Sequence, residues 1–515
     1  MMRMFLSLLA SAKSSMQPLV LERSLAAYRH SCKLYFSARA SSIQQEHTFW
    51  QTHASDNGVL EKIANGIHVT SIQHVKPDKP TPHKLRSYNL SALDQVNAPS
   101  YVPFVFFYAN NAKGNTNVNI DNLIIERSKL LRDSMSKTLT RFYPFAGKYI
   151  DDNHIECNDE GVYYVETRVD GTLSSFLAKP DYKMLQRLLP MPPNLKEPTR
   201  GYYLSLIQVN FFTCGGVGIS MSNSHKLIDG RTYMTFLNAW ASEAKGDQQK
   251  IIYPCFVASS LFLSNTKPPT YPSIPLSSLA ERPMILNRGK CLTKRFRFHA
   301  SALQALKSKA AASVSCTRVV AVTSLIWKCA TSAARKLRGE RPSILQTAVN
   351  IRGRFAQPLP PNAIGNIIWN AVARCESNDT LRLDTMVKLM NAGIAKVDTS
   401  FVEQFKGQKG SNNVIDELKW LGGQMSIYDA DYYSSSSMCN SGVYDADFGW
   451  GRPIWSCYGN SNNNATLYTN AILMMDTSMG GIEAWVTLSQ EEMDIVERDP
   501  ELLLYASVEP SPFQD

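Results

Sequence analysis

At 515 residues, with 44% hydrophobic and 19% charged side chains, the chain is too long for one ordinary core and has the composition of a globular protein, which excludes a disordered or fibrous molecule. Half of the formal charge of +10 lies in residues 1–45, where Arg3, Lys13, Arg23, Arg29, Lys33 and Arg39 face the single acid Glu22; no later basic run carries interleaved aromatics, so no nucleic-acid surface is expected. No stretch reaches the roughly 18 uninterrupted apolar residues of a membrane span, and the ten cysteines never fall in a CxxC spacing, so the thiols are expected to pack as small apolar groups rather than to hold zinc or form disulfides.

Taken in chain order, residues 1–45 are Arg- and Ser-rich and poor in acids, with a short apolar run from Met4 to Ala10. They read more like an organellar transit peptide than a secretory signal, or else as a plain extension. Residues 1–59 are accordingly read as an N-terminal extension, disordered or transit-like. The expected location is cytoplasmic, with the mitochondrion or plastid as the alternative if residues 1–45 direct import.

The folded body begins near Leu60. Ile67 to Ile72 alternates like a strand, Val102 to Tyr108 reads as a buried strand, and Asn122 to Phe142 repeats apolar residues at helical spacing until Tyr143-Pro144 ends it. Gly161 to Glu166 and Leu204 to Phe212 read as strands. The small-residue stretch Cys214 to Gly218 and then Ile219 to Ser224 lead to His225, and a helix is expected over Gly230 to Ser242. His225 thus falls at a strand-to-helix junction, the kind of place where α/β proteins build their sites. Prolines between Asn265 and Pro283 rule out regular structure and mark a crossover. Beyond it a strand (Thr293 to His299), a helix (Ser301 to Lys309) and a longer helix (Val319 to Arg335) are expected, while Ser434 to Ser437 and Asn462 to Asn464 read as loops.

His225-Lys226-Leu227-Ile228-Asp229-Gly230 sets an imidazole four residues before a carboxylate. Alone this is weak, since a chance His-x-x-x-Asp is expected about half a time in such a chain, and His74 to Asp78 has the same spacing. A second element, Asp447-Phe448-Gly449-Trp450-Gly451, is far less ordinary, with a chance expectation well below about one in a thousand. Together the two resemble the paired signatures of the plant BAHD acyltransferases. Leu139 to Gly147, Ile155 to Glu166, Thr317 to Cys329, Pro358 to Asn366 and Gly481 to Leu488 extend the resemblance over nearly all of the chain from residue 60, nearest the vinorine-synthase-like branch.

That resemblance implies a mixed α/β fold of two similarly sized chloramphenicol-acetyltransferase-like domains, 60–260 carrying HxxxD and 291–515 carrying DFGWG, joined by a crossover at 261–290 and enclosing a solvent channel. It implies acyl-CoA, taken as acetyl-CoA from the branch, as co-substrate, no metal, and a hydroxyl of a small alkaloid or terpenoid as acceptor. His225 would be the general base, because an alcohol is a poor nucleophile at neutral pH and imidazole can take its proton. In the family Asp229 orients the loop through an arginine, for which Arg352 is the match, rather than relaying charge. Asp447, Phe448, Gly449, Trp450 and Gly451 would be architecture, and the chain a monomer without nucleic-acid or membrane partners.

The match fails in one place. Where family members carry Trp and then Arg, this chain has Met438 and Asn440, followed by Ser441-Gly442 in place of Phe-Pro. This region lies near the reaction centre in the family, where Ser436 is a candidate oxyanion contact. A catalytically silent ligand- or partner-binding member is therefore the alternative. A serine hydrolase lacks its Gly-x-Ser-x-Gly elbow, and Cys214 to Gly218 lacks the spacing of a dinucleotide fingerprint.

Overall fold

The computed structural model describes residues 66–97, 100–110, 119–151, 153–180, 182–190, 201–264, 291–310, 315–425, 430–459 and 470–512. The extension at 1–59, most of the crossover at 261–290 and the Asn462–Asn464 loop lie outside the described residues.

The strands of the main sheets in the first half are β1 (Ile67–Val75), β2 (Tyr101–Tyr108), β3 (Val162–Val169), β4 (Ser205–Phe212) and β5 (Val217–Ser224). Those of the second half are β6 (Cys291–Phe298), β7 (Ser343–Asn350), β8 (Ile368–Cys375), β9 (Asp431–Ser437), β10 (Trp455–Tyr458), β11 (Ala471–Asp476), β12 (Ile482–Ser489) and β13 (Ser507–Val508). They form a six-stranded sheet in the order β1-β3-β4-β5-β2-β10 and a seven-stranded sheet in the order β8-β7-β9-β11-β12-β6-β13, beside a smaller four-stranded sheet. The late strand β10 lies on β2, with Trp455 opposite Phe107 and Tyr458 opposite Phe104, so a segment from near the chain's end closes the edge of the sheet that leads to His225.

Residue type explains most of these elements. β4 and β5 are buried along their whole length, as strands covered on both faces are. The alternation of Val217, Ile219 and Met221 with Gly218, Ser220 and Ser222 lets β5 place large groups on one face and small ones on the other. Helix α1 (Ala92–Gln95) is a single capped turn. Helix α2 (Ile120–Arg141) buries Ile124, Leu131, Met135 and Leu139 along one stripe and starts at Asn119, whose side chain accepts the Asp121 and Asn122 N–H groups. It begins two residues earlier than its apolar pattern suggests. Helix α3 (Gly230–Lys245) runs from Asp229 as N-cap to Gly246 in the left-handed conformation, φ 72°. Helix α4 (Arg318–Arg338) buries Trp327, whose Nε1 donates to Ser343 Oγ at 2.8 Å.

The serines at 434–437 are not a loop. They belong to β9, in the interior of the larger sheet and parallel to both neighbours, with Ser435 opposite Thr347 on one side and Ile472 on the other. Buried Ser435 and Thr347 bond each other through their hydroxyls at 2.8 Å, which removes the desolvation penalty that would keep serine out of such a strand. Among the described residues no helix is long and apolar enough to cross a membrane, and Cys157, Cys214, Cys255, Cys291, Cys316, Cys329, Cys375, Cys439 and Cys457 are free thiols.

Candidate active site

His225 follows the last residue of β5, where Ser224 stands opposite Tyr101. Its N–H donates to Ser100 O at 2.8 Å and its carbonyl accepts from Asn366 Nδ2 at 2.8 Å. Both backbone groups are thus fixed by segments from elsewhere in the chain. The residue is half-buried, and its Nδ1 is enclosed with no hydrogen-bond partner among the described residues. The next residue, Lys226, is fully buried and its Nζ donates to the carbonyls of Gln95 and Asn97, both at 3.1 Å.

Asp229 is buried and makes no bond to the imidazole among the described residues. Its Oδ2 accepts from Arg352 Nη1 at 2.7 Å and Ile367 N at 3.1 Å, and its Oδ1 from Arg352 Nη2 at 3.1 Å and Thr232 N at 2.8 Å. Arg352 is also buried and donates onward to the carbonyls of Ala363 and Gly365. The carboxylate is therefore both the N-cap of α3 and half of a bidentate ion pair, the geometry in which a buried pair can offset its desolvation. Thr232 completes the knot, its Oγ1 lying 3.1 Å from Gly365 O.

The second motif lies at the other end of α3. Asp447 Oδ1 accepts the N–H groups of Gly449 and Gly451, each at 2.9 Å, and its other oxygen pairs with Lys245. Gly449 and Gly451 have φ of 102° and 116°, which side chains with a Cβ resist. Partial burial acts against ionisation of Asp447, but the Lys245 ammonium and the two N–H donors outweigh it and hold the carboxyl below its usual range. Phe448, fully buried, meets Trp240 of α3 edge-on at 4.9 Å and Tyr108 edge-on at 5.6 Å, and stacks on Trp450 at 5.7 Å. The Arg127 guanidinium sits 4.9 Å from the Trp450 ring centre.

The divergent stretch touches the first end. Met438 is buried against the first turn of α3: a Cβ on Gly230 would come within 2.6 Å of its Sδ. Asn440 is an exposed left-handed residue, φ 57°, whose N–H donates to Asp476 at 2.6 Å, and the Gly442 carbonyl accepts from Asn238 of α3 at 3.1 Å. Ser436, half-buried on β9, shares no hydrogen bond with His225 among the described residues. Among the described residues, three other histidines sit in plain structural settings. His74 bonds Tyr203 at 2.8 Å rather than Asp78, and burial lowers its pKa; His68 and His154 face Asp170 and Asp151 at the surface, both at 3.2 Å. Asn366, which nothing in the sequence singles out, reaches the His225 carbonyl, and Asp94, equally unmarked, accepts from Asn366 in turn.

A model of the Transferase family matches residues 66–503, nearly the whole described chain. This protein belongs to the BAHD acyltransferase family. Limonoid 7-O-acetyltransferase of Citrus sinensis is 35% identical over 460 residues, covering 86% of this chain and 99% of that protein. Akuammiline synthase 1 of Alstonia scholaris is 34% identical over 440 residues, covering 84% and 96%. Among solved structures, vinorine synthase matches this BAHD chain with a TM-score of 0.70 at 29% identity, over 86% of this chain and 98% of the other. The BAHD protein described here is accordingly an acyltransferase.

Proposed function

We propose that this chain is an acetyl-CoA-dependent O-acetyltransferase acting on an alkaloid or terpenoid alcohol, with His225 as general base. The imidazole, through Nε2, takes the acceptor's hydroxyl proton while the oxygen attacks the thioester carbonyl. As the tetrahedral intermediate collapses, the C–S bond breaks and the imidazolium returns the proton to the CoA sulfur. The step needs no metal and no acyl-enzyme. Asp229 and Arg352 orient the loop, Ser436 is the candidate donor to the oxyanion, and the segment from Asp447 to Gly451 holds the shape of the fold.

What carries the reading is the setting of His225: a half-buried ring at the end of β5, its backbone fixed on both sides, beside a carboxylate whose bonds all go elsewhere. A base must be open to the reactant yet held still, and a neutral imidazole suits proton transfer near pH 7. The names of the relatives, acetyltransferases of limonoids among them, favour acetyl as the acyl group. We read 60–260 and 291–515 as two acyltransferase domains joined through 261–290, with donor and acceptor entering a channel between them. We further read the protein as a cytoplasmic monomer, with import through residues 1–45 as the alternative location.

The test is transfer of label from radiolabelled acetyl-CoA to a panel of triterpenoid and indole-alkaloid alcohols. Wild type should label at least one acceptor, and His225→Ala should lower kcat by about 10²–10⁴-fold. A His225→Ala variant that keeps the wild-type rate excludes the general-base role.

A further inference from the structure

Resting on the reading of His225 as the base, we propose that Asp94 and Asn366 form a positioning pair that fixes the backbone of His225 and so aims its ring. The two are 272 residues apart in sequence, and each is fully buried.

Asp94 closes the capping box of α1, its Oδ2 accepting Ser91 N at 3.0 Å and Ser91 Oγ at 2.6 Å. A capping box works equally well at a surface, so it does not account for burying a carboxylate completely, which is costly without a cation. Asp94 has no ion-pair partner among the described residues, and burial pushes its pKa up to about 6 in spite of its donors. What the burial achieves lies on the other oxygen. Oδ1 accepts Asn366 N at 2.7 Å and Asn366 Nδ2 at 3.2 Å.

Asn366 Nδ2 has two protons. One points to Asp94 Oδ1 and the other to the His225 carbonyl at 2.8 Å, while Asn366 Oδ1 has no partner among the described residues. An amide can flip, but the flipped form would set its oxygen against a carboxylate and a carbonyl at once. Asp94, an acceptor only, therefore selects the orientation in which Asn366 donates to His225. The approach is close: Gly365, φ 132°, has a backbone conformation that side chains with a Cβ resist, and a Cβ there would lie 3.2 Å from Ala258 Cβ and 3.4 Å from Asp94 Oδ1. The same single-turn helix also receives Lys226 Nζ on the carbonyl of Gln95. Residue 226 is thus held from α1, and 225 and 229 from the 363–367 segment. Asp94 to Asn366 is the link between those two supports.

The test compares Asn366→Asp, Asn366→Ala and Asp94→Asn with wild type and His225→Ala, following kcat, KM for acyl-CoA and thermal midpoint. Asn366→Asp keeps the shape and loses the donor to His225. A positioning role predicts that kcat falls by up to about 10²-fold, as expected for a displaced reacting group, with KM within about threefold of wild type, because neither residue is placed in the substrate-binding machinery. If Asn366→Ala fails to fold, the other two variants give the same reading. A folded variant with wild-type kcat, or one that changes KM and leaves kcat alone, overturns the pair's role. His225→Ala is the separate arm: if it too retains activity, the general-base reading fails and takes this one with it, whereas an inactive His225→Ala beside fully active Asn366 variants sinks the positioning pair alone.

Discussion

The two ends of α3 are held in physically different ways. At its start, Asp229 and Arg352 meet through directional, charge-assisted bonds, and every acceptor position of the carboxylate is filled. At its far end, 16 residues or about 24 Å along the axis, Phe448 is enclosed by Trp240, Tyr108 and Trp450, and contact area does most of the holding. Directional bonds fix angles, which is what the loop needs if His225 is the base proposed above. Apolar packing fixes distance and tolerates small adjustments, which suits a joint far from the chemistry. The two short sequence motifs are therefore two anchors of one helix, of which only the first adjoins the proposed base.

If this contrast holds, the largest effect comes from breaking the charged end. Arg352→Met leaves the Asp229 carboxylate buried without its partner and should cost about 3–5 kcal/mol, seen as a lowered thermal midpoint and loss of transfer activity together. Adding Asp229→Asn to the same chain removes the stranded charge and should recover part of that stability without restoring activity. A double variant no more stable than Arg352→Met would contradict the account. At the aromatic end, Phe448→Leu keeps an apolar filling and loses two edge-on ring contacts, for a cost of about 1–3 kcal/mol. Here kcat per folded molecule should stay at the wild-type level while the urea midpoint falls; a kcat that drops in step with a charged-end variant would erase the distinction between the two anchors.

The legibility of the two ends also differs. The segment from Asp447 to Gly451 is contiguous, and its glycines and aromatics announce a turn packed into a core. At the charged end, His225 and Asp229 share one hexapeptide, but Arg352 could be named only by resemblance, because the ion pair joins positions 123 apart. Asn366 lies within a stretch that resembled the family, yet nothing in its neighbourhood marks its side chain as the one that meets the His225 carbonyl. The same limit applies to strands. β2 and α2 declare themselves by continuous or periodic apolar residues. β9 does not, since its buried Ser435 is satisfied by the Thr347 hydroxyl of a neighbouring strand. Met438 and Asn440 divide in the same way: the departure is visible in sequence, but that Met438 packs on Gly230 while Asn440 turns outward depends on how β9 and α3 meet.

The smallest effect belongs to the one charge at the aromatic end. Asp447 has a folded pKa below its usual 3.8, the ion pair with Lys245 and the N–H groups of Gly449 and Gly451 outweighing the cost of its partial burial. A depressed carboxyl pKa means that the folded state binds the proton less readily than the unfolded one, so the stabilisation is complete above the unfolded value and disappears as pH falls through the folded value. Asp447→Asn removes that contribution while leaving an oxygen able to accept the glycine N–H groups. The difference in urea midpoint between wild type and Asp447→Asn should thus be constant from neutral pH down to about pH 5 and shrink toward about pH 3. Because Lys245 is nearly half exposed, added salt should narrow the gap at neutral pH as well. A gap that widens on acidification, or that ignores salt, would mean that Asp447 acts through the turn's shape alone and that the far end of α3 is held without any electrostatic part.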